Sequence, residues 1–233
     1  MINYSYFDNQ CKYTILLLHG WGVDSSYMES LKDFLSNEYN TLILDLPGHG
    51  KSNLDRVYTI DDYLEDIHHI VEKEKIQKLY IIGHSFGGKI GGFYAQKYPL
   101  EGEILISPSL IKPRGSLKRL LKINLYKLIK KLHLKIPKFL QGSRDYLQTN
   151  GLKRKTFVNI VNSYLNKKEL QELDVPIILI GFSLDKEVKV YQMKKLNKNL
   201  KKSKLFIYEG NHFSYFSYFK EIRLLLTLLR SEL

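Results

Sequence analysis

The chain of 233 residues carries one cysteine, Cys11. A single thiol excludes a disulfide framework and a zinc site built on cysteines, and it fits a reducing compartment. Long apolar runs are also missing. Stretches such as Ile15-Leu16-Leu17-Leu18 are short, and none approaches the roughly 20 residues a membrane-spanning helix needs. Met1 to Tyr13 lacks a basic start followed by an apolar block, so no secretory signal is expected. Acidic residues are scarce in one segment: between Lys112 and Lys155 stand 14 Lys or Arg and a single acid, Asp145. The net charge of +12 therefore belongs to that segment, and the rest of the chain is nearly neutral. The segment shows no recognisable nucleic-acid-binding pattern, so no nucleic-acid partner is expected. Apolar residues make up 44% of the chain, enough for the core of one generous domain. The composition reads as a soluble cytoplasmic protein.

Short, β-rich apolar runs recur at Thr14–Leu18, Thr41–Asp45, Leu79–Gly83, Glu103–Ser107, Ile177–Gly181 and Lys204–Tyr208, with Ile2–Phe7 as a possible edge strand. Several are apolar throughout, as strands covered on both faces must be. Helical patterns at Ser26–Ser36, Ile60–Glu74, Phe86–Lys97 and Val190–Asn199 lie between them, with a last helix over roughly Tyr215–Leu229. This alternation predicts an α/β fold with a mostly parallel central sheet and helices on both faces. The rhythm breaks between Pro108 and Asp174. There Leu117, Leu120, Leu121, Leu125, Leu128, Ile129, Leu132 and Ile136 recur at mostly helical spacing, with lysines and arginines filling much of the other face. A second helix is expected from about Arg154 to Leu165. The expected division is a core of residues 1–107 and 175–233 and a helical cap of residues 108–174.

The strongest local motif is Gly83-His84-Ser85-Phe86-Gly87, at a predicted strand-to-helix junction. A G-x-S-x-G there is a nucleophile elbow: the tight turn needs tiny flanking residues and lifts the serine hydroxyl above the sheet edge. His19-Gly20-Trp21-Gly22 follows the first central strand, and its loop can offer a backbone N–H to a developing oxyanion. The predicted donors are the amides of Trp21 and of Phe86, the residue after the nucleophile. Asp45 to Ser52 is turn-rich, and His49 within it reads as a turn or surface residue. A serine hydroxyl needs a base. Among seven histidines, His212 follows the last strand, at the end of the sheet where such loops converge. His84 diverges from Ser85 across the turn, His68, His69 and His133 fall on helices, and His19 belongs to the oxyanion loop. The imidazole in turn needs an acid, for which Asp185 is the first candidate and Glu187, two residues on, the alternative.

Four signatures in this order, His19–Gly22, Asp45–Gly50, Gly83–Gly87 and Asn211-His212-Phe213, resemble the α/β-hydrolase superfamily over essentially the whole length. The segments His19-Gly20-Trp21-Gly22 and Asp45 to Ser52 are most similar to small esterases of the pimeloyl-ACP methyl ester esterase type and related bacterial carboxylesterases. The resemblance implies a triad of Ser85, His212 and Asp185, no cofactor, and a pocket shaped by the cap. The acid loop departs from the family pattern: three residues separate Gly181 from Asp185 where relatives usually have two, and the proline usual after the acid is missing from Lys186–Val190. The expected activity is serine-dependent cleavage of a small-molecule carboxylic ester or thioester. The alternatives are lyase or perhydrolase chemistry on the same triad, or a non-catalytic ligand-binding homologue. The leucine face of the cap helix is expected to pack on the domain or wall an acyl pocket. Its basic face is expected to be a solvated surface or to meet an acidic carrier protein or an anionic lipid surface.

Overall fold

A computed structural model describes residues 2–115, 117–135, 137 and 144–232 of the chain. Seven strands form one sheet: β1 (Tyr4–Phe7), β2 (Thr14–Leu18), β3 (Asn40–Leu44), β4 (Leu79–His84), β5 (Gly102–Ile106), β6 (Ile177–Phe182) and β7 (Ser203–Tyr208), in the spatial order β1-β3-β2-β4-β5-β6-β7. Every neighbouring pair is parallel except β1 with β3. The sheet is the predicted one, with each central strand within two residues of its expected span.

The continuous apolar strands find apolar cover on both sides. Along β2, Ile15 and Leu17 point into one core with α1 (Ser26–Leu35) and α9 (Phe219–Glu232). Leu16 and Leu18 point into the other with α2 (Ile60–Lys73) and α3 (Phe86–Lys97). The period-two alternation puts successive side chains on opposite faces, so a strand covered twice must be apolar at every position. The edge strand β1 alternates half-buried and exposed residues instead, as one open side requires. α2 is held at its start by Thr59, whose hydroxyl accepts from the Asp62 N–H while the Asp62 carboxylate accepts from the Thr59 N–H.

Between β5 and β6 lie α4 (Leu117–Lys131), α5 (Arg144–Leu147), α6 (Gly151–Ile160) and α7 (Lys167–Glu172), and α8 (Val190–Asn199) follows β6. The helix expected over Arg154–Leu165 is α6, which starts three residues earlier and ends five earlier, and α7 is a further short helix beyond it. Asn166 restarts the chain, its side chain accepting from the Lys168 and Glu169 N–H groups while Glu169 accepts from the Asn166 N–H. The last helix also begins later, because a turn of 3₁₀-helix at Ser214–Ser217 precedes α9. Ile136 lies outside the described residues. Among the described residues no helix is long and apolar enough to cross a membrane.

One core position conflicts with its surroundings. Glu103 on β5 is fully buried, and neither carboxylate oxygen has a hydrogen-bond partner among the described residues. Burial pushes its pKa up to about 8, so it is protonated at neutral pH. A carboxyl whose folded pKa lies above its unfolded one favours the folded state less as pH rises between the two values. Stability should therefore fall from about pH 4.5 to about pH 8 and then level off. Glu103→Gln cannot ionise. Its stability relative to wild type should rise by on the order of 3 kcal/mol across that window, as read by urea denaturation at pH 5 and pH 8.5.

Candidate active site

The chain runs from β2 outward to β3 and then crosses back to β4 on the other side of β2. That reversal opens a crevice at the carboxyl ends of β2 and β4, the place where such sheets hold their ligands. Ser85 stands there. It follows β4 with φ +53° and ψ −106°, a strained conformation for a residue with a side chain, and α3 begins at the next residue. The turn is fixed on both sides: the Ser85 N–H donates to the Ile106 carbonyl at 2.8 Å, and its carbonyl accepts from the Lys89 and Ser109 N–H groups. The glycines are required by space. A Cβ on Gly83 would lie 2.5 Å from the Gly87 carbonyl oxygen, and one on Gly87 would run into the Leu18 carbonyl. Both obstacles are backbone and cannot swing away. Gly87→Ala should therefore destabilise the protein by about 3 kcal/mol or more, measurable by chemical denaturation.

The loop after β2 lies against this turn, since a Cβ on Gly20 would meet the His84 ring at 3.2 Å and the Ser85 Cβ at 3.5 Å. His19 anchors the loop from beneath. Its Nδ1–H donates to the Gly20 carbonyl at 2.8 Å, and its Nε2 accepts from the Leu46 N–H at 2.9 Å. Burial pushes its pKa down to about 4, so it is neutral with both nitrogens engaged. The Trp21 and Phe86 backbone N–H groups donate to nothing among the described residues. The Trp21 ring meets Phe86, His49 and Phe157 edge-on or tilted. His49 is in the expected turn, but it is buried under Trp21 rather than on the surface, and burial holds its pKa well below the usual value.

His212 comes from the loop after β7 and is buried. Its Nδ1–H donates to Asp185 Oδ2 at 2.8 Å, and Glu187 Oε2 lies 3.4 Å from its Nε2. The two candidate acids therefore sit on opposite nitrogens of one ring. Asp185 is the buried member. Its Oδ2 also accepts from the Ser107 hydroxyl at 2.8 Å, and its Oδ1 accepts from the Glu187 and Val188 N–H groups at 2.8 and 2.9 Å. Burial alone would raise its pKa, but the His212 pairing and these donors prevail and hold it below the ordinary carboxylate value. Glu187 is exposed, with 61% of its side-chain surface open to solvent. Ser85, His212, Trp21, Gly20, Gln148 and Phe213 line one cleft of about 280 Å³.

Two members of this arrangement have no motif of their own. Ser107, just past β5, supplies the hydroxyl on Asp185. His84 is fully buried, and its Nε2–H donates to the His212 carbonyl at 2.9 Å, fixing the backbone that carries the imidazole. Burial pushes the His84 pKa down to about 3, which keeps it a neutral strut. His68 accepts or donates at the Tyr94 hydroxyl on the α2–α3 side, and His69 and His133 are exposed, all outside the cleft lining.

Residues 13–112 match the family model of the alpha/beta hydrolase fold. The Monoacylglycerol lipase ABHD6 of Mus musculus is 28% identical over 237 residues, covering 85% of this chain and 69% of that protein. The Serine hydrolase-like protein of Danio rerio is 34% identical over 88 residues, covering 36% of this chain and 27% of that one. Matches of this shorter kind span about a third or less of the relative's own length. Among solved structures, the esterase from Exiguobacterium antarcticum superposes with a TM-score of 0.75 at 17% identity, over 99% of this chain and 96% of that one. A thermophilic esterase from Thermogutta terrifontis gives 0.75 at 16%, over 99% and 94%.

Proposed function

We propose that this chain, which belongs to the α/β-hydrolase superfamily, hydrolyses a small-molecule carboxylic ester or thioester through a Ser85–His212–Asp185 triad. The observation that carries this reading is the 2.8 Å contact from His212 Nδ1–H to buried Asp185, on a ring that shares a cleft with the strained Ser85. A hydrogen bond at Nδ1 fixes the tautomer that leaves the Nε2 lone pair free to take a proton. Similarity to proteins named as esterases and as a monoacylglycerol lipase favours ester over other hydrolytic chemistry. Residues 108–174 would act as the cap over a core of residues 1–107 and 175–233.

Ser85 Oγ attacks the carbonyl carbon and passes its proton to His212 Nε2. The oxyanion takes the free N–H groups of Trp21 and Phe86. Collapse breaks the bond to the leaving group, which collects the proton from His212 and departs. A water then gives a proton to His212 and attacks the acyl-enzyme, and the carboxylic acid leaves as Ser85 regains its proton. The steps call for no metal or organic cofactor.

A fluorophosphonate probe tests whether Ser85 is activated. Wild type should be labelled at Ser85, located by peptide mass spectrometry, and should lose p-nitrophenyl ester hydrolysis in step with labelling. A folded protein that stays unlabelled and turns over no ester from acetate to laurate would sink the hydrolase reading and leave a ligand-binding homologue.

A further inference from the structure

Helix α4 does not do what its sequence pattern suggests. An amphipathic helix buries its apolar stripe, and here four leucines of that stripe face out. Leu121, Leu125, Leu128 and Leu132 are 59, 42, 53 and 56% exposed, and Leu134 just beyond is 59% exposed. At 3.6 residues per turn the first four fall within roughly 60° of one another. The half-buried side of the helix is carried by Tyr126 and Ile129 instead. These five leucines are thus largely open to solvent, and none of them lines the cleft. Exposed Lys131 lies roughly 90° round the helix from the row and exposed Lys130 on its opposite side, with exposed Lys135 just past the helix, all within the segment that holds 14 cations and one acid.

We infer that α4 is an interfacial helix that docks on an anionic lipid bilayer, with its leucine row among the acyl chains and its lysines at the headgroups. Charge and apolarity select this occupant together. An acidic soluble protein would pair with the lysines and leave the leucine row in water. A second copy, placed symmetrically on α4, would bring two strongly basic segments together. A bilayer with anionic headgroups satisfies both faces of the helix. The position fits a use: α4 belongs to the segment between β5, whose Ile106 carbonyl holds the Ser85 N–H, and β6, and Gln148 of that same segment lines the cleft. Docking through this segment would bring the enzyme to the surface where ester substrates with long acyl chains partition. The docking itself does not depend on the hydrolase reading.

The test is co-sedimentation of the full chain with large vesicles of phosphatidylcholine alone, or with about a quarter phosphatidylglycerol. Binding should be at least about tenfold stronger on the anionic vesicles and should weaken between about 0.1 and 0.5 M salt. Leu125→Gln/Leu128→Gln/Leu132→Gln leaves the charge unchanged. It should lower vesicle binding about tenfold or more while p-nitrophenyl acetate hydrolysis in vesicle-free buffer stays at the wild-type rate. Ser85→Ala should bind vesicles like wild type, so loss of the hydrolase reading leaves this result standing. No binding, or equal binding to both vesicle types, overturns the proposal. So does salt-sensitive binding that the leucine changes do not touch, which assigns the face to an acidic partner. A concentration-dependent dimer that the same changes dissolve assigns it to a second copy and also overturns the proposal.

Discussion

Ser85→Ala should lower kcat on p-nitrophenyl esters by a factor on the order of 10⁴ to 10⁶ and leave the fold intact. On the proposed mechanism, removing Oγ deletes the atom that carries the acyl group, so the two-step route is gone and not merely slowed. What survives is the background that the free Trp21 and Phe86 N–H groups give to direct attack by water, which accounts for a residual rate above the uncatalysed one. The substitution should not destabilise the turn. Ser85 holds a positive φ because its N–H and carbonyl are tied to Ile106, Lys89 and Ser109, and those bonds are made by the backbone. Alanine keeps the Cβ and every backbone bond. Equal denaturation midpoints with the stated loss of kcat would place the effect in the chemistry. A variant that keeps more than a tenth of the wild-type rate would show that ester turnover runs through another group.

Much of the fold was legible because the chain states it locally. β2, β4 and β6 carry the unbroken apolar runs Ile15–Leu18, Leu79–Ile82 and Ile177–Ile180, and only a strand covered on both faces needs that. The elbow was legible because glycine at positions 83 and 87 answers a clash with backbone, which no other residue type avoids. Side chains that act across long separations left no such mark. His84 serves through the carbonyl of a residue 128 positions away, and Ser107 reaches an acid 78 positions away. Their one local signal is position, since each ends a strand whose carboxyl terminus opens on the crevice. The burial of His49 under Trp21 escaped a turn-based reading for a related reason: turn chemistry fixes the backbone and says nothing of what packs over it. The outward leucine row of α4 is the reverse case. Its periodicity was plain, but periodicity gives a stripe and not the side to which it turns.

The choice between two acids two residues apart in the chain gives the second large effect. Asp185→Asn should lower kcat by about 10⁴, and Glu187→Gln by less than about tenfold. The difference follows from which nitrogen each carboxylate touches. Asp185 accepts Nδ1–H and so leaves Nε2 unprotonated. In the asparagine variant the Glu187 and Val188 N–H groups still demand an acceptor, so the amide oxygen turns to them and the NH₂ faces His212. The ring must then accept at Nδ1 and carry its proton on Nε2, where it cannot receive one from Ser85. Glu187 meets Nε2 at 3.4 Å with most of its side chain in solvent, so its charge is screened and its loss leaves the tautomer untouched. The same assignment has a signature in stability. Asp185 has a folded pKa below its unfolded one, so its contribution is present above the ordinary aspartate range and fades as pH falls toward the lower folded value. The stability gap between wild type and Asp185→Asn should therefore narrow on acidification below about pH 4, whereas the gap for Glu187→Gln should stay small throughout. A reversal of the two kcat losses would make Glu187 the acid and require the ring to turn over in the working enzyme.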